Sequence, residues 1–137
     1  MAVLLDTGAV YAFMDRRDSW HERVFAFLSS TAEHLLLPQP VLAEACYLVS
    51  KNLGTQPERN LLLDVHAGRF ELTALVAADV LRAHDLLARY DDLRLGFVDA
   101  SVAALAERLA ITRIATIDRR DFSVIRPSHC DHFELLP

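Results

Sequence analysis

The stretch Ala2-Val3-Leu4-Leu5-Asp6-Thr7 decides the fold. Four apolar residues run without interruption into an acid, the pattern of a parallel strand covered by helices on both faces. Such strands deliver the residue that ends them to the carboxyl edge of the sheet, where open α/β proteins bind their ligands. Asp6 is therefore expected at that edge. Thr7 is expected to cap the next helix, whose apolar positions Val10, Tyr11, Phe13 and Met14 follow directly.

Outward from this unit the alternation repeats. The polar connection from Asp15 to Ser19 offers an Asp or a Ser as cap for a helix over 20–29, with Val24, Phe25, Phe27 and Leu28 on its apolar face. His34 to Leu37 reads as a second strand ended by Pro38. Pro40 suits the first turn of a helix reaching about Asn52, which Gly54 ends. A helix from Pro57 to Val65, closed by Gly68, leads to a strand over 70–75. Ala77 to Tyr90 and Phe97 to Ala110 have helical spacing, the second with a narrow face of Ala100, Ala103, Ala104 and Leu105. Ile114 to Ile117 reads as a buried strand running into Asp118, and a last strand is expected within Phe133 to Leu136. With no repeat, linker or low-complexity tract, this order predicts one domain over 1–137, a three-layer α/β/α sandwich with a mainly parallel central sheet. Right-handed crossovers then make Asp6 and Asp118 neighbours at one sheet edge.

Composition narrows the function classes. A chain of 137 residues can bury roughly 68–70% of its unfolded surface without disulfides or a structural metal. A hydrophobic fraction of 53% and a mean hydropathy of +0.20 leave apolar area for association. No apolar run has the length of a membrane span, and the start of the sequence lacks a signal-peptide pattern, so the cytoplasm is the expected compartment. Cys46 and Cys130 show neither CxxC nor Cys/His spacing and are expected to be free thiols. The net charge of −5 opposes a broad basic surface for nucleic acid. Four acids set aside for one metal site, however, leave only −1 on the remainder, and local arginines can still guide a polyanion.

Those four acids are Asp6, Glu44, Asp99 and Asp118. Glu44 interrupts an otherwise apolar helical face, and Asp99 opens a helix rich in small residues. Each has a bland alternative. Asp99 complements the positive end of a helix dipole, Glu44 sits at the margin of a buried stripe with its carboxylate in water, and Asp118 caps the turn Asp118-Arg119-Arg120-Asp121. Gathered at one sheet edge, four carboxylates repel in a partly desolvated site, and a cation relieves that repulsion. Oxygen-only ligands favour Mg²⁺ or Mn²⁺. Such an ion polarises phosphoryl oxygens and lowers the pKa of a bound water, the chemistry of phosphodiester hydrolysis.

The set Leu5-Asp6-Thr7, Glu44-Ala45, Val98-Asp99-Ala100 with Ala103-Ala104, and Ala115 through Phe122 resembles the PIN-domain family, and most closely the VapC toxins of VapBC toxin–antitoxin modules. The match runs in order along essentially the whole chain, and the closing Thr116-x-Asp118-x-x-Asp121-Phe122 is its most specific part. The resemblance implies a Mg²⁺-dependent endoribonuclease toxin, with Mn²⁺ as the other candidate ion, that hydrolyses cellular RNA (tRNA, rRNA or mRNA). It also implies inhibition by a cognate VapB-type antitoxin, and a homodimer or toxin–antitoxin hetero-oligomer. Asp6 and Asp99 would be direct metal ligands. Glu44 and Asp118 would complete the cage, hold metal-bound waters or bind a second ion. Asp121 matches a more variable acid outside the first coordination sphere. Thr7 and Thr116 match hydroxyl positions that orient carboxylates or water, or else serve as helix cap and strand residue. The alternative function is a PIN-fold RNA- or protein-binding module with negligible nuclease activity.

Two other classes that place an acid after the first strand fail on named residues. A haloacid-dehalogenase phosphatase needs a second Asp two positions after Asp6 as general acid, where this chain has Gly8. A response-regulator receiver needs paired acids there and a late lysine, and the sole lysine is Lys51. Arg16, Arg17, Arg119 and Arg120 are candidates for RNA phosphates, for acids of an antitoxin, or for plain solvation. Trp20 is expected to pack on the core rather than stack on a base, and His21 to hold a surface helix position rather than move protons. His66, His84, His129 and His132 show no ligand spacing.

Overall fold

In the computed structural model, which describes residues 1–137, strand β1 (Ala2–Leu5) is the middle of a five-stranded sheet. β2 (His34–Pro38) and then β3 (Glu71–Thr73) lie on one side of it, β4 (Arg113–Ala115) and β5 (Glu134–Leu136) on the other, and every pairing is parallel. Val3, Leu4 and Leu5 are completely buried, as an apolar run covered on both faces must be. β1 pairs through Val3 with Leu35 and through Leu5 with Ala115.

The helices are α1 (Thr7–Met14), α2 (His21–Ser30), α3 (Gln39–Leu53), α4 (Thr55–His66), α5 (Ala77–Arg89), α6 (Phe97–Leu109) and α7 (Arg120–Val124), with a 3₁₀ turn at Asp91–Leu93. β1, β2 and β3 step outward in one direction, and the chain then returns across the sheet to β4 and continues to β5. Right-handed crossovers therefore place α1 to α4 on one face and α5 to α7 on the other. The packing agrees, since α1 touches both α2 and α3, α3 touches α4, and α6 packs on α5 and α7. The strand order reverses between β1 and β4, and that reversal opens a crevice at the carboxyl ends of those two strands.

Several sequence expectations need correction. Thr7 is not the cap of α1. Asp6 is, with extended backbone and its Oδ1 accepting the Thr7 N–H at 2.8 Å, which leaves Thr7 as the first helical residue. α6 is not buried along a narrow face only: Ala100 through Ala106 are all buried, because β1 and β2 cover one side of the helix and α5 the other. β4 ends at Ala115, so Thr116 and Ile117 belong to the loop carrying Asp118. α7, expected only as a turn, is too short to show an apolar period. Neither Asp18 nor Ser19 is the N-cap residue of α2, although Asp18 Oδ1 accepts the N–H of Trp20 just before that helix.

Salt bridges lock α5 to α6. Arg82 Nε donates to Glu107 at 2.6 Å and Arg108 Nε to Asp79 at 2.9 Å. Asp79 is 2% exposed and also accepts the Val76 N–H, so its charge is fully engaged.

Candidate active site

The crevice at the β1/β4 reversal is a cavity of about 410 Å³ lined by twelve residues, six of them carboxylates and none a cation. It contains all four acids singled out from the sequence, Asp6, Glu44, Asp99 and Asp118, together with Asp18 and Asp121. Six separate segments bring them there, Asp18 from the connection between α1 and α2. Asp6 ends β1 and is held to the neighbouring strand by its own N–H, which donates to the Ala115 carbonyl at 3.0 Å. Glu44 and Leu48 are one turn apart on α3, beside the buried stripe Val41, Ala45 and Val49. Asp99 lies in the first turn of α6, Asp118 in the loop after β4, and Asp121 in the first turn of α7.

Gly8 permits the close approach of α1 to that loop. A Cβ at Gly8 would lie 2.7 Å from Ile117 Cγ1, so only a glycine lets the first turn of α1 sit against the segment carrying Asp118.

The acids have different environments. Asp6 is 6% exposed, and burial pushes its carboxyl up to about 6 even though hydrogen bonds from Thr116 and Thr7 oppose the shift. Thr116 Oγ1 lies 2.9 Å from Asp6 Oδ2 and 3.1 Å from the Asp118 carbonyl. Its single hydrogen serves the ionised carboxylate better, because charge-assisted bonds are the stronger. Thr116 thus orients Asp6. Asp99 is pushed up to about 7, first by burial and then by the negative charges of Asp6, Asp121, Glu44 and Asp118. Asp118 is held below its ordinary value by the hydrogen-bonding guanidinium of Arg120. Glu44 is exposed, as its bland alternative required, yet its side chain faces this cavity.

The donor set fits a hard cation. All the charged groups are oxygen ligands, and the Thr7 hydroxyl oxygen is buried at the cavity wall without any hydrogen-bond partner in the chain. A hydrated ion held through one or two carboxylates is the form this lining suits, since no three His, Cys, Asp or Glu side chains stand close enough together to ligate one ion jointly. Asp6, Glu44, Asp99 and Asp118 thus share one cavity.

Sequence reasoning missed Asp18, whose loop position gave no periodic signal; Asp121, expected outside the first coordination sphere, lines the cavity. Of the arginines, Arg119 is half-buried: its guanidinium lies 5.7 Å from the Trp20 ring and donates to the Pro137 carbonyl. Trp20 packs on the core as expected, and His21 Nδ1 lies 2.7 Å from the Ala12 carbonyl, a structural contact. Cys46 and Cys130 are free. No helix is long and apolar enough to cross a membrane.

Comparison with known proteins now adds to this geometry. The family model described as PIN domain matches residues 3–126. Ribonuclease VapC26 of Mycobacterium tuberculosis is 33% identical over 135 residues, 98% of this chain and 100% of that protein. Among solved structures, the sarcin-ricin loop cleaving toxin VapC20 of Mycobacterium tuberculosis shares the fold with a TM-score of 0.81 at 19% identity, over 86% of this chain and 91% of that one. VapBC2 from Rickettsia felis, bound to a DNA fragment from its promoter, does so with a TM-score of 0.71 at 20% identity over the full length of both chains.

Proposed function

This chain belongs to the PIN domain family and within it to the VapC group, and from that premise we propose that it is a divalent-metal-dependent endoribonuclease, the toxin partner of a VapB-type antitoxin. Mg²⁺ is the preferred ion and Mn²⁺ its substitute. The observation that carries the proposal is the crowding of six carboxylates into one crevice at the strand-order reversal, two of them pushed up to about 6 and about 7. Uncompensated charge of this kind costs stability and accompanies function. The relatives named ribonuclease and VapBC supply the substrate class and the partner class.

Asp6 and Asp99 would hold the ion, with Asp6 oriented by the Thr116 hydroxyl and the Thr7 N–H. Glu44 and Asp118 would face it from the exposed side of the cavity. Asp121 and Asp18 add negative charge at the rim. When bound, the divalent ion supplies positive charge at the phosphoryl oxygens and a lowered pKa for the attacking water. The residues' part is to fix oxygen ligands on rigid elements and to keep Asp6 out of bulk water.

The test is cleavage of total RNA by purified protein in Mg²⁺ or Mn²⁺, with sequencing of the new ends. EDTA silences the parent, and folded Asp6→Asn or Asp99→Asn lowers the rate by roughly 100-fold or more. Full cleavage by either variant removes the assigned roles. A parent without any RNA cleavage leaves the binding-module alternative in its place.

A further inference from the structure

On the nuclease reading above, we infer that Arg120 is a substrate-binding residue, paired with Asp118 in the free protein and transferred to an RNA backbone phosphate when substrate enters. The cavity has six carboxylates and no cation among its lining residues, so a polyanion approaching it meets repulsion from every wall. The two arginines next to Asp118 differ sharply. Arg119 is committed to the Trp20 ring and the Pro137 carbonyl, and its Nε is buried. Arg120 has an 89% exposed side chain, and its Nε and terminal nitrogen reach the two Asp118 oxygens at 3.3 Å each.

That pairing is two-pronged but long. Charge-assisted N–H···O bonds close to about 2.7–2.9 Å when tightly held. An exposed pair at 3.3 Å holds two mobile side chains for little net gain and exchanges readily. The planar guanidinium fits a phosphate as well as a carboxylate. One exchange then does two things: it frees the Asp118 carboxylate to face the cation, and it places a positive charge on the incoming strand. Arg120 therefore has opposite effects on the two ligands of the site, which a purely structural surface pair would not have.

The experiment titrates Mn²⁺ alone into the RNA-free parent, Arg120→Ala, Arg120→Lys and Arg17→Ala by calorimetry. It then measures binding of a fluorescein-labelled single-stranded oligoribonucleotide by anisotropy, with Ca²⁺ in place of Mn²⁺, over a range of salt. Arg120→Ala should bind Mn²⁺ roughly two- to fivefold more tightly. It should also bind the oligonucleotide several-fold more weakly, with a salt slope shallower by about 0.7. Arg120→Lys keeps the charge and loses the fork, so it too should bind Mn²⁺ more tightly than the parent. Arg17→Ala, whose side chain lies outside the cavity, should leave Mn²⁺ affinity unchanged. The inference is overturned if Arg120→Ala shifts both affinities in the same direction or neither, if Arg120→Lys matches the parent, or if Arg17→Ala tightens Mn²⁺ equally. A parent that binds Mn²⁺ and cleaves RNA while the Arg120 variants behave as it does overturns this inference alone. A parent that binds no Mn²⁺ and cleaves no RNA overturns the nuclease reading, and the role of Arg120 with it.

Discussion

Replacing Asp99 by asparagine in metal-free protein should raise its stability, by an amount that depends on pH. Burial and four neighbouring carboxylates push Asp99 from its ordinary value of 3.8 up to about 7. A gap of about three units at about 1.4 kcal/mol each would be about 4 kcal/mol. Asp99 is only half-buried, and solvent screening reduces the figure to about 2 kcal/mol. The sign follows from proton binding. Between pH 4 and 7 the folded form holds a proton that the unfolded form has released, so the parent loses stability as pH rises, and the penalty is complete above 7. The uncharged variant lacks that penalty. Its advantage is near zero at pH 4, grows through the window and reaches about 2 kcal/mol at pH 8, a Tm rise of roughly 5–10 °C for a chain of this size. Thermal unfolding in EDTA at pH 4.5, 6 and 8, followed by circular dichroism, measures it. Added Mn²⁺ should then raise the parent's Tm more than the variant's, because binding to the folded form stabilises by mass action. A natively folded Asp99→Asn that melts no higher than the parent at pH 8 in EDTA, or gains equally at pH 4.5 and 8, refutes the picture of crowded charge.

Three further perturbations probe the scaffold of the site. Gly8→Ala brings a Cβ to 2.7 Å from Ile117 Cγ1 and should cost about 1–3 kcal/mol in urea unfolding; it should also lower the cleavage rate by displacing the Asp118 loop, and an unchanged rate would detach that loop from catalysis. Thr116→Val removes the hydroxyl that donates to Asp6 Oδ2 and should weaken Mn²⁺ binding about 10- to 100-fold by calorimetry. Equal Mn²⁺ affinity in parent and variant would leave Thr116 a mere loop residue. Arg108→Ala strands the buried Asp79 carboxylate and should cost about 2–4 kcal/mol, with the cleavage rate per folded molecule unchanged.

Short-range patterns carried the architecture well. The uninterrupted run Val3-Leu4-Leu5 demanded burial on both faces and has it. Gly54 and Gly68 end their helices with positive φ, as their positions suggested. The errors cluster where a local signal was shared by two neighbours or was too short to repeat. Asp6 and Thr7 are both good caps, and the sheet register resolved the choice by holding the Asp6 backbone extended. The five residues of α7 cannot express a 3.6-residue period. Ile117 continues an apolar run, yet the strand has already ended at Ala115.

From residue order alone came an alternating α/β chain with acids at strand and helix ends, and a likeness spanning most of its length, because burial patterns, caps and motif spacing are properties of neighbours along the chain. Tertiary structure alone decided that Asp18 and Asp121 join the other four acids at the reversal of strand order between β1 and β4. It also separated Arg119, spent on Trp20, from Arg120, lying on Asp118. Apart from the local Asp118–Arg120 pair, these arrangements join residues far apart in sequence, and the energies that select them, burial of charge and Coulomb repulsion, depend on distances through space that a linear pattern does not contain.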